Sequence, residues 1–190
     1  MFTKEDLKKL ILPLIVEQLL AVTIGIADAV MVASAGEAAI SGVSLVDSIN
    51  LLLINVLSAL ATGGAVVASQ YLGRGEPWQA CTAAKQLIFS CGVLAAVISA
   101  AALFFRTGLL GALFGAAEAD VMRNAQTYFF YSALSYPFIA IYNAGAALFR
   151  TMGNSRISML TSACMNIINI VGNAIFIFGF SMGVAGAAIA

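Results

Sequence analysis

The sequence predicts an all-α protein, a helix bundle that crosses a membrane several times. Of its 190 residues, 62% are hydrophobic and only 9% are charged, and the mean hydropathy is +1.00. An ordinary soluble domain carries about 25% charged residues, so this chain has too few charges to form a polar surface. A bilayer removes that need, because lipid solvates an apolar exterior. Long apolar stretches separated by turn-forming residues complete the prediction.

Five stretches are long enough to cross the hydrocarbon core, which takes about 20 helical residues. Turn-forming segments such as Gly73–Pro77 and Met152–Ser155 separate them. Between the third and fourth spans, we expect the segment from Thr107 to Asp120 to hold a short amphipathic helix. A sixth apolar segment runs from residue 183 to residue 190 and is too short to cross, so we expect a truncated sixth helix. The five predicted spans are residues 10–33, 43–71, 80–105, 121–148 and 157–180.

Basic residues are distributed unevenly between the two sides of the predicted bundle. With the N-terminus in the cytoplasm, seven lie on the cytoplasmic side and two on the other. Because cytoplasmic loops are enriched in Lys and Arg, we expect a cytoplasmic N-terminus. We expect a multi-pass protein of the cell membrane, specifically of a bacterial inner membrane. The cytoplasmic set is Lys4, Lys8, Lys9, Arg74, Lys85, Arg150 and Arg156, and the opposite set is Arg106 and Arg123.

Three acidic residues lie within the predicted spans, where a central charge costs about 2.5–3.5 kcal/mol on insertion scales. Glu17 and Asp28 are eleven residues apart, so they project from one helix face about 16 Å apart along the axis. A carboxylate buried without a partner tends to take a proton, which a proton-coupled carrier needs. The alternatives are a solvated Glu17 near the cytoplasm and an Asp28 near the outer interface. Asp47 fits a helix-capping role as well as a transport role.

Polar side chains form a stripe on the fifth span. Asn166, Asn169 and Asn173 fall within about 60° of one another around the helix. Amides that face lipid would lack partners, so these three face other helices or a cavity. Interhelical hydrogen bonding and a cation pathway are both open interpretations.

Aromatic residues on the fourth span suggest a substrate surface. Tyr128, Tyr131 and Tyr142 lie on one broad face, and aromatic faces attract organic cations. Interfacial tyrosine belts and ordinary packing produce similar stripes. In the second span, Asn50 flanks Asp47 and is a further polar side chain of that helix.

Composition argues against two other classes of protein. The formal net charge is zero, whereas nucleic-acid binding requires a basic patch. The chain has no histidine, so it lacks the commonest general base and zinc ligand. We therefore expect no enzymatic activity, no cofactor and no nucleic-acid partner.

Five segments resemble, in the right order, motifs of the multidrug and toxin extrusion (MATE) family. In the first span, Pro13 is followed by the box Ile26–Val32, which centres on Asp28 and is similar to the family's first-helix pattern. The other four segments are Gly64–Gly73 at the end of the second span, Ala147–Asn154 after the fourth, Asn166–Gly179 in the fifth and Gly183–Ala188 at the start of the sixth.

The resemblance implies the N-terminal six-helix lobe of a MATE-type transporter, with the sixth helix truncated and the C-terminal lobe missing. It also implies that H⁺ or Na⁺ exchange drives the export of drugs or other organic cations, with the second lobe as partner. One alternative is a lipid or polysaccharide flippase of the same superfamily, which the scarcity of basic residues in the spans disfavours. The other is a non-catalytic membrane half-subunit that needs a partner.

The resemblance also assigns site residues. Asp28 matches the first-helix aspartate that binds the coupling cation, and Asn169 matches a fifth-helix asparagine of that site, so Na⁺ would bind there. Asn173 stands where many prokaryotic members have an aspartate, and Glu17 could replace that acid because it shares a face with Asp28. We therefore predict a cation site at Asp28, Asn169, Asn173 and Glu17, and a substrate cavity at Asp47, Asn50, Tyr128, Tyr131, Tyr142 and Asn166.

Overall fold

The computed structural model describes the backbone from Lys4 to Ala190 and the side chains from Ile11 onward. Six α-helices and no strand occur in that part of the chain, which confirms the predicted all-α bundle. They are α1 (Lys4–Ala33), α2 (Glu37–Gly73), α3 (Pro77–Phe114), α4 (Ala119–Thr151), α5 (Ser155–Asn173) and α6 (Gly183–Ile189). A π-helix, Ala174–Gly179, continues directly from α5.

Tight turns connect the first five helices. Gly36, Gly75 and Gly153 have φ angles of 111°, 76° and 81°, a region that only glycine enters without steric cost. Pro77 starts α3, where its missing N–H costs no helical hydrogen bond. Because the chain reverses at each turn, the turns at Gly75 and Gly153 lie at one end of the bundle, called here the inner end. Gly36 and residues 115–118 lie at the outer end.

The prediction of a separate amphipathic helix between Thr107 and Asp120 was wrong. α3 continues without interruption to Phe114, and only residues 115–118 separate it from α4. The sequence from Thr107 to Phe114 contains no proline, and adding a residue to an existing helix costs far less than starting a new one.

Helices α2, α3 and α4 form the tightly packed part of the bundle, and α1 packs mainly on α5. Small residues on α4 let it pack closely against α2 and α3. Ala125, Ala133 and Ala140 are completely buried. At Gly42 on α2, an added Cβ would lie 2.8 Å from the carbonyl oxygen of Val121 on α4. The backbones of α2 and α4 are therefore in direct contact.

Four segments of the described chain are long and apolar enough to cross a membrane: Ile11–Ala33, Glu37–Gly73, Pro77–Phe114 and Ser155–Gly179. The predicted fourth span lies in α4, which has 33 residues but does not meet this criterion because it carries more polar residues. Large apolar side chains such as Leu12, Phe104 and Phe138 are exposed on the outside of the bundle, as a surface in contact with lipid requires.

The basic residues behind the predicted orientation lie partly within the described region. Arg74 and Arg150 are at the inner end, and Arg123 is at the outer end, in the first turns of α4. The side chains of Lys4, Lys8 and Lys9 lie outside the described residues. The cytoplasmic N-terminus therefore stays a prediction.

Candidate functional site

A polar cluster joins the outer halves of α1 and α5. The amide nitrogen Nδ2 of Asn173 donates hydrogen bonds to Asp28 Oδ1 at 2.6 Å and to Asn169 Oδ1 at 3.1 Å. Asn169 and Asn173 are four residues apart, so their side chains are neighbours on one face of the helix. The structure thus brings together three of the four residues predicted for the cation site.

The other amide atom of Asn173 is left without a partner. Its Oδ1 is buried and accepts no hydrogen bond from any residue that the structure describes. An unsatisfied buried acceptor costs about 1–3 kcal/mol, and a proton donor or a cation would relieve that cost. Asp28, Asn169 and Asn173 together present the carboxylate and amide oxygens that hard cations prefer.

Beside this cluster is a cavity of about 570 Å³. It lies between α2, α4, α5 and α6, and Gly25 on α1 also contributes to its wall. Asn169 lines the cavity and accepts the hydrogen bond from Asn173, so it belongs to both features. The polar side chains of the wall are Asp47, Asn50, Tyr128, Ser132, Ser135, Tyr136 and Asn169.

A hydrogen bond across the cavity wall connects α2 and α4. The hydroxyl of Tyr136 donates to Asn50 Oδ1 at 2.8 Å, and both side chains are buried. Sequence reasoning missed Tyr136, although it follows Ser132 by four residues and therefore lies on the same face of α4. The bond gives the Asn50 side chain a partner and fixes α2 relative to α4 at this side of the cavity.

Half of the predicted cavity residues line the cavity: Asp47, Asn50 and Tyr128. Tyr131 instead packs edge-to-face against Phe130, with ring centroids 5.3 Å apart. On α4 the wall follows positions 128, 132, 135, 136 and 139, and position 131 points to one side of that row.

The other two predicted cavity residues, Tyr142 and Asn166, also lie outside the wall. Tyr142 is close enough to Glu17 and Arg150, towards the inner end, to interact with their charges. Asn166 precedes Asn169 by about one turn, on the inner side of the cluster.

Glu17 is not part of the Asp28 cluster. Its Oε1 lies 3.2 Å from Nη1 of Arg150, and its Oε2 accepts a hydrogen bond from the Ser158 hydroxyl at 2.5 Å. Glu17 and Asp28 both accept hydrogen bonds from α5, as residues on one face of α1 would. Helical periodicity could not reveal Arg150, which is 133 residues further along the chain.

Comparisons with known proteins agree with this architecture. A family model described as MatE matches residues 13–175. The uncharacterized transporter YisQ of Bacillus subtilis is 30% identical over 181 residues, which cover 93% of this chain and 39% of YisQ. The multidrug export protein MepA of Staphylococcus saprophyticus is 27% identical over 178 residues, with 93% and 39% covered.

A solved structure has the same fold. The MATE multidrug transporter DinF-BH superposes on this chain with a TM-score of 0.89 at 27% identity. The match covers 98% of this chain and 42% of that protein. The chain therefore spans about two fifths of the length of the relatives it matches, which is the extent of one lobe.

Proposed function

Because the chain belongs to the MatE family, we propose that it is one lobe of a cation-coupled antiporter that exports organic cations across the cell membrane. The observation that carries this proposal is the double role of Asn169, which lines the cavity and also bonds to the residue that contacts Asp28. A change at Asp28 can thus reach the cavity through two side chains. A second lobe of the same protein would be the partner.

Asp28 is the residue to which the coupling cation, H⁺ or Na⁺, would bind. In the described arrangement its Oδ1 accepts a hydrogen bond from Asn173. Once a proton or Na⁺ occupies Asp28, a half-turn of the Asn173 amide would replace the donor Nδ2 by the unpartnered acceptor Oδ1. That rotation would break the bond between Asn173 and Asn169 and so change the wall of the cavity.

The cavity suits an organic cation. Asp47 supplies a negative charge, and Tyr128 and Tyr136 supply aromatic surface. No lysine or arginine is among the described residues that line it, which favours cationic cargo over the anionic cargo of a flippase. Asp28, in the adjacent cluster, supplies a second carboxylate near this wall, and a positive charge between the two acids is favourable.

The test is efflux by the isosteric variant Asp28→Asn in proteoliposomes. We expect transport driven by a pH or Na⁺ gradient to fall by at least about tenfold, because a neutral amide cannot take up the coupling cation. The amount of inserted protein should not change. Separate pH and Na⁺ gradients across the unmodified protein distinguish the two coupling ions.

Asp120→Asn is the matched control. Asp120 forms an exposed pair with Arg123 at 3.4 Å, outside the cluster, so this variant should transport normally. Undiminished gradient-driven efflux by Asp28→Asn would contradict the proposed function.

A further inference from the structure

The inner halves of α1, α4 and α5 meet at an ion pair that the proposed transport cycle does not use. Glu17 and Arg150 have side chains only 17% and 29% exposed, and Ser158, which donates to Glu17, is fully buried. Arg150 lies in the last turn of α4, and Ser158 in the first turns of α5. An ionisable residue inside a membrane helix usually has a specific partner and a function.

This ion pair is unusual in linking separate helices. The other ion pair between described side chains, Asp120 with Arg123, joins residues three apart on the surface of α4. The link matters for α1, because this helix packs mainly on α5 and otherwise makes little contact with α4. Among the described side chains, two polar contacts hold α1: Asp28 with Asn173 at the outer end, and Glu17 with Arg150 and Ser158 at the inner end.

The two contacts respond differently to a coupling cation. At the outer end, Asp28 faces a neutral amide, so a proton or Na⁺ removes the charge that attracts the Asn173 donor. At the inner end, the positive partner is a guanidinium, which stays charged at every physiological pH. A coupling cation would gain no attraction by displacing the Arg150 guanidinium, because Arg150 already neutralises the charge of Glu17.

We propose that Glu17, Arg150 and Ser158 form an inner clamp, which fixes the inner half of α1 to the α4–α5 junction while the outer half responds to the cation at Asp28. Glu17 is then a positioning residue and not a second coupling carboxylate. The role in transport rests on the proposed function, whereas the mechanical role of the clamp does not.

Transport kinetics test the role of the clamp in transport. The protein would be expressed from its complete reading frame. Glu17→Gln and Arg150→Gln should each lower the maximal rate by at least about fivefold, with the KM for the organic cation within about twofold, because neither residue lines the cavity. The exchanged pair Glu17→Arg with Arg150→Glu should recover at least about half of the lost rate. Arg123→Gln, at the exposed pair, is the control and should transport normally.

Distances between spin labels test the mechanical role of the clamp, and this measurement requires no transport. Exposed positions Ile15 on α1 and Phe149 on α4 would be labelled in a cysteine-free background. The distance distribution between the labels should be narrow in the unmodified protein, broad in Glu17→Gln and narrow again in the exchanged pair. It should not depend on pH or Na⁺.

The two measurements have separate outcomes. If the unmodified protein exports no organic cation, the proposed function fails and the label distances still decide whether the clamp exists. Wild-type rates in both single variants, an exchanged pair no better than either, or an unchanged narrow distribution in Glu17→Gln would each overturn the clamp.

Discussion

Asn173 presents its amide nitrogen to Asp28 at 2.6 Å and leaves its own oxygen buried and unpartnered. This neutral donor stands where the MATE resemblance has a second carboxylate in many prokaryotic members. The cluster thus contains one negative charge, on α1, and it orients the α5 amides around that charge. A single substitution can convert this arrangement into a two-carboxylate site.

The variant Asn173→Asp should hold a coupling proton more tightly. Two carboxylates within hydrogen-bonding distance cannot both ionise easily, so the pair retains a proton at higher pH. We expect the pH of half-maximal H⁺-driven efflux to rise by about one unit or more. Asn154→Asp, at the exposed turn before α5, should leave the pH profile in place, and an unshifted profile for Asn173→Asp would count against the site.

The bond between Tyr136 and Asn50 should contribute measurably to stability. Tyr136→Phe leaves Asn50 Oδ1 without its donor inside the cavity wall, at a cost of about 1 kcal/mol for an interhelical hydrogen bond in a membrane protein. The measurement is thermal unfolding in detergent. Tyr131→Phe is the control, since its ring packs on Phe130 outside the wall. Equal melting temperatures for the two variants would refute the prediction.

The backbone contact between α2 and α4 predicts opposite effects of two glycine substitutions in one helix. Gly42→Ala places a methyl group 2.8–2.9 Å from backbone atoms of Val121 and Ala125, and such overpacking costs about 1–3 kcal/mol. Gly63→Ala meets no atom within 4 Å and should stabilise the helix by about 0.5–1 kcal/mol. The same unfolding assay compares them, and a Gly42→Ala variant as stable as the unmodified protein would disprove the close approach.

The orientation in the membrane can be tested at the turns. Glu37 and Arg74 are exposed at opposite ends of α2. In a cysteine-free background, a membrane-impermeant maleimide should label Glu37→Cys in intact cells and Arg74→Cys only after permeabilisation. The expectation follows from the greater number of basic residues predicted at the inner end. The reverse labelling pattern would place the N-terminus outside.

Hydropathy and turn residues predicted the all-α bundle, because each span must satisfy its own backbone hydrogen bonds within the membrane. The error at Thr107 arose because the charged Arg106 interrupts the apolar run of α3, although no proline stops the helix before Gly115. A single charged residue can lie within a long membrane helix, and it does not indicate the end of that helix.

The candidate site was predictable where its residues share one helix face. The spacing of Asn169 and Asn173, together with the family resemblance, indicated both as partners of Asp28. Periodicity describes one helix and not its neighbours. It therefore missed the pairing of Glu17 with Arg150, and it included Tyr131 and Tyr142, which share the broad face of α4 but lie beside and beyond the cavity.

The side chain of Asn169 both lines the cavity and accepts a hydrogen bond from the Asn173 amide. Thermodynamic reciprocity then constrains any pair of occupants: the factor by which one changes the binding constant of the other is the same in both directions. A titration of the coupling ion against increasing amounts of cargo therefore measures the same interaction energy as the reverse titration. Exchange between the two can be quantified at equilibrium, before any gradient is imposed.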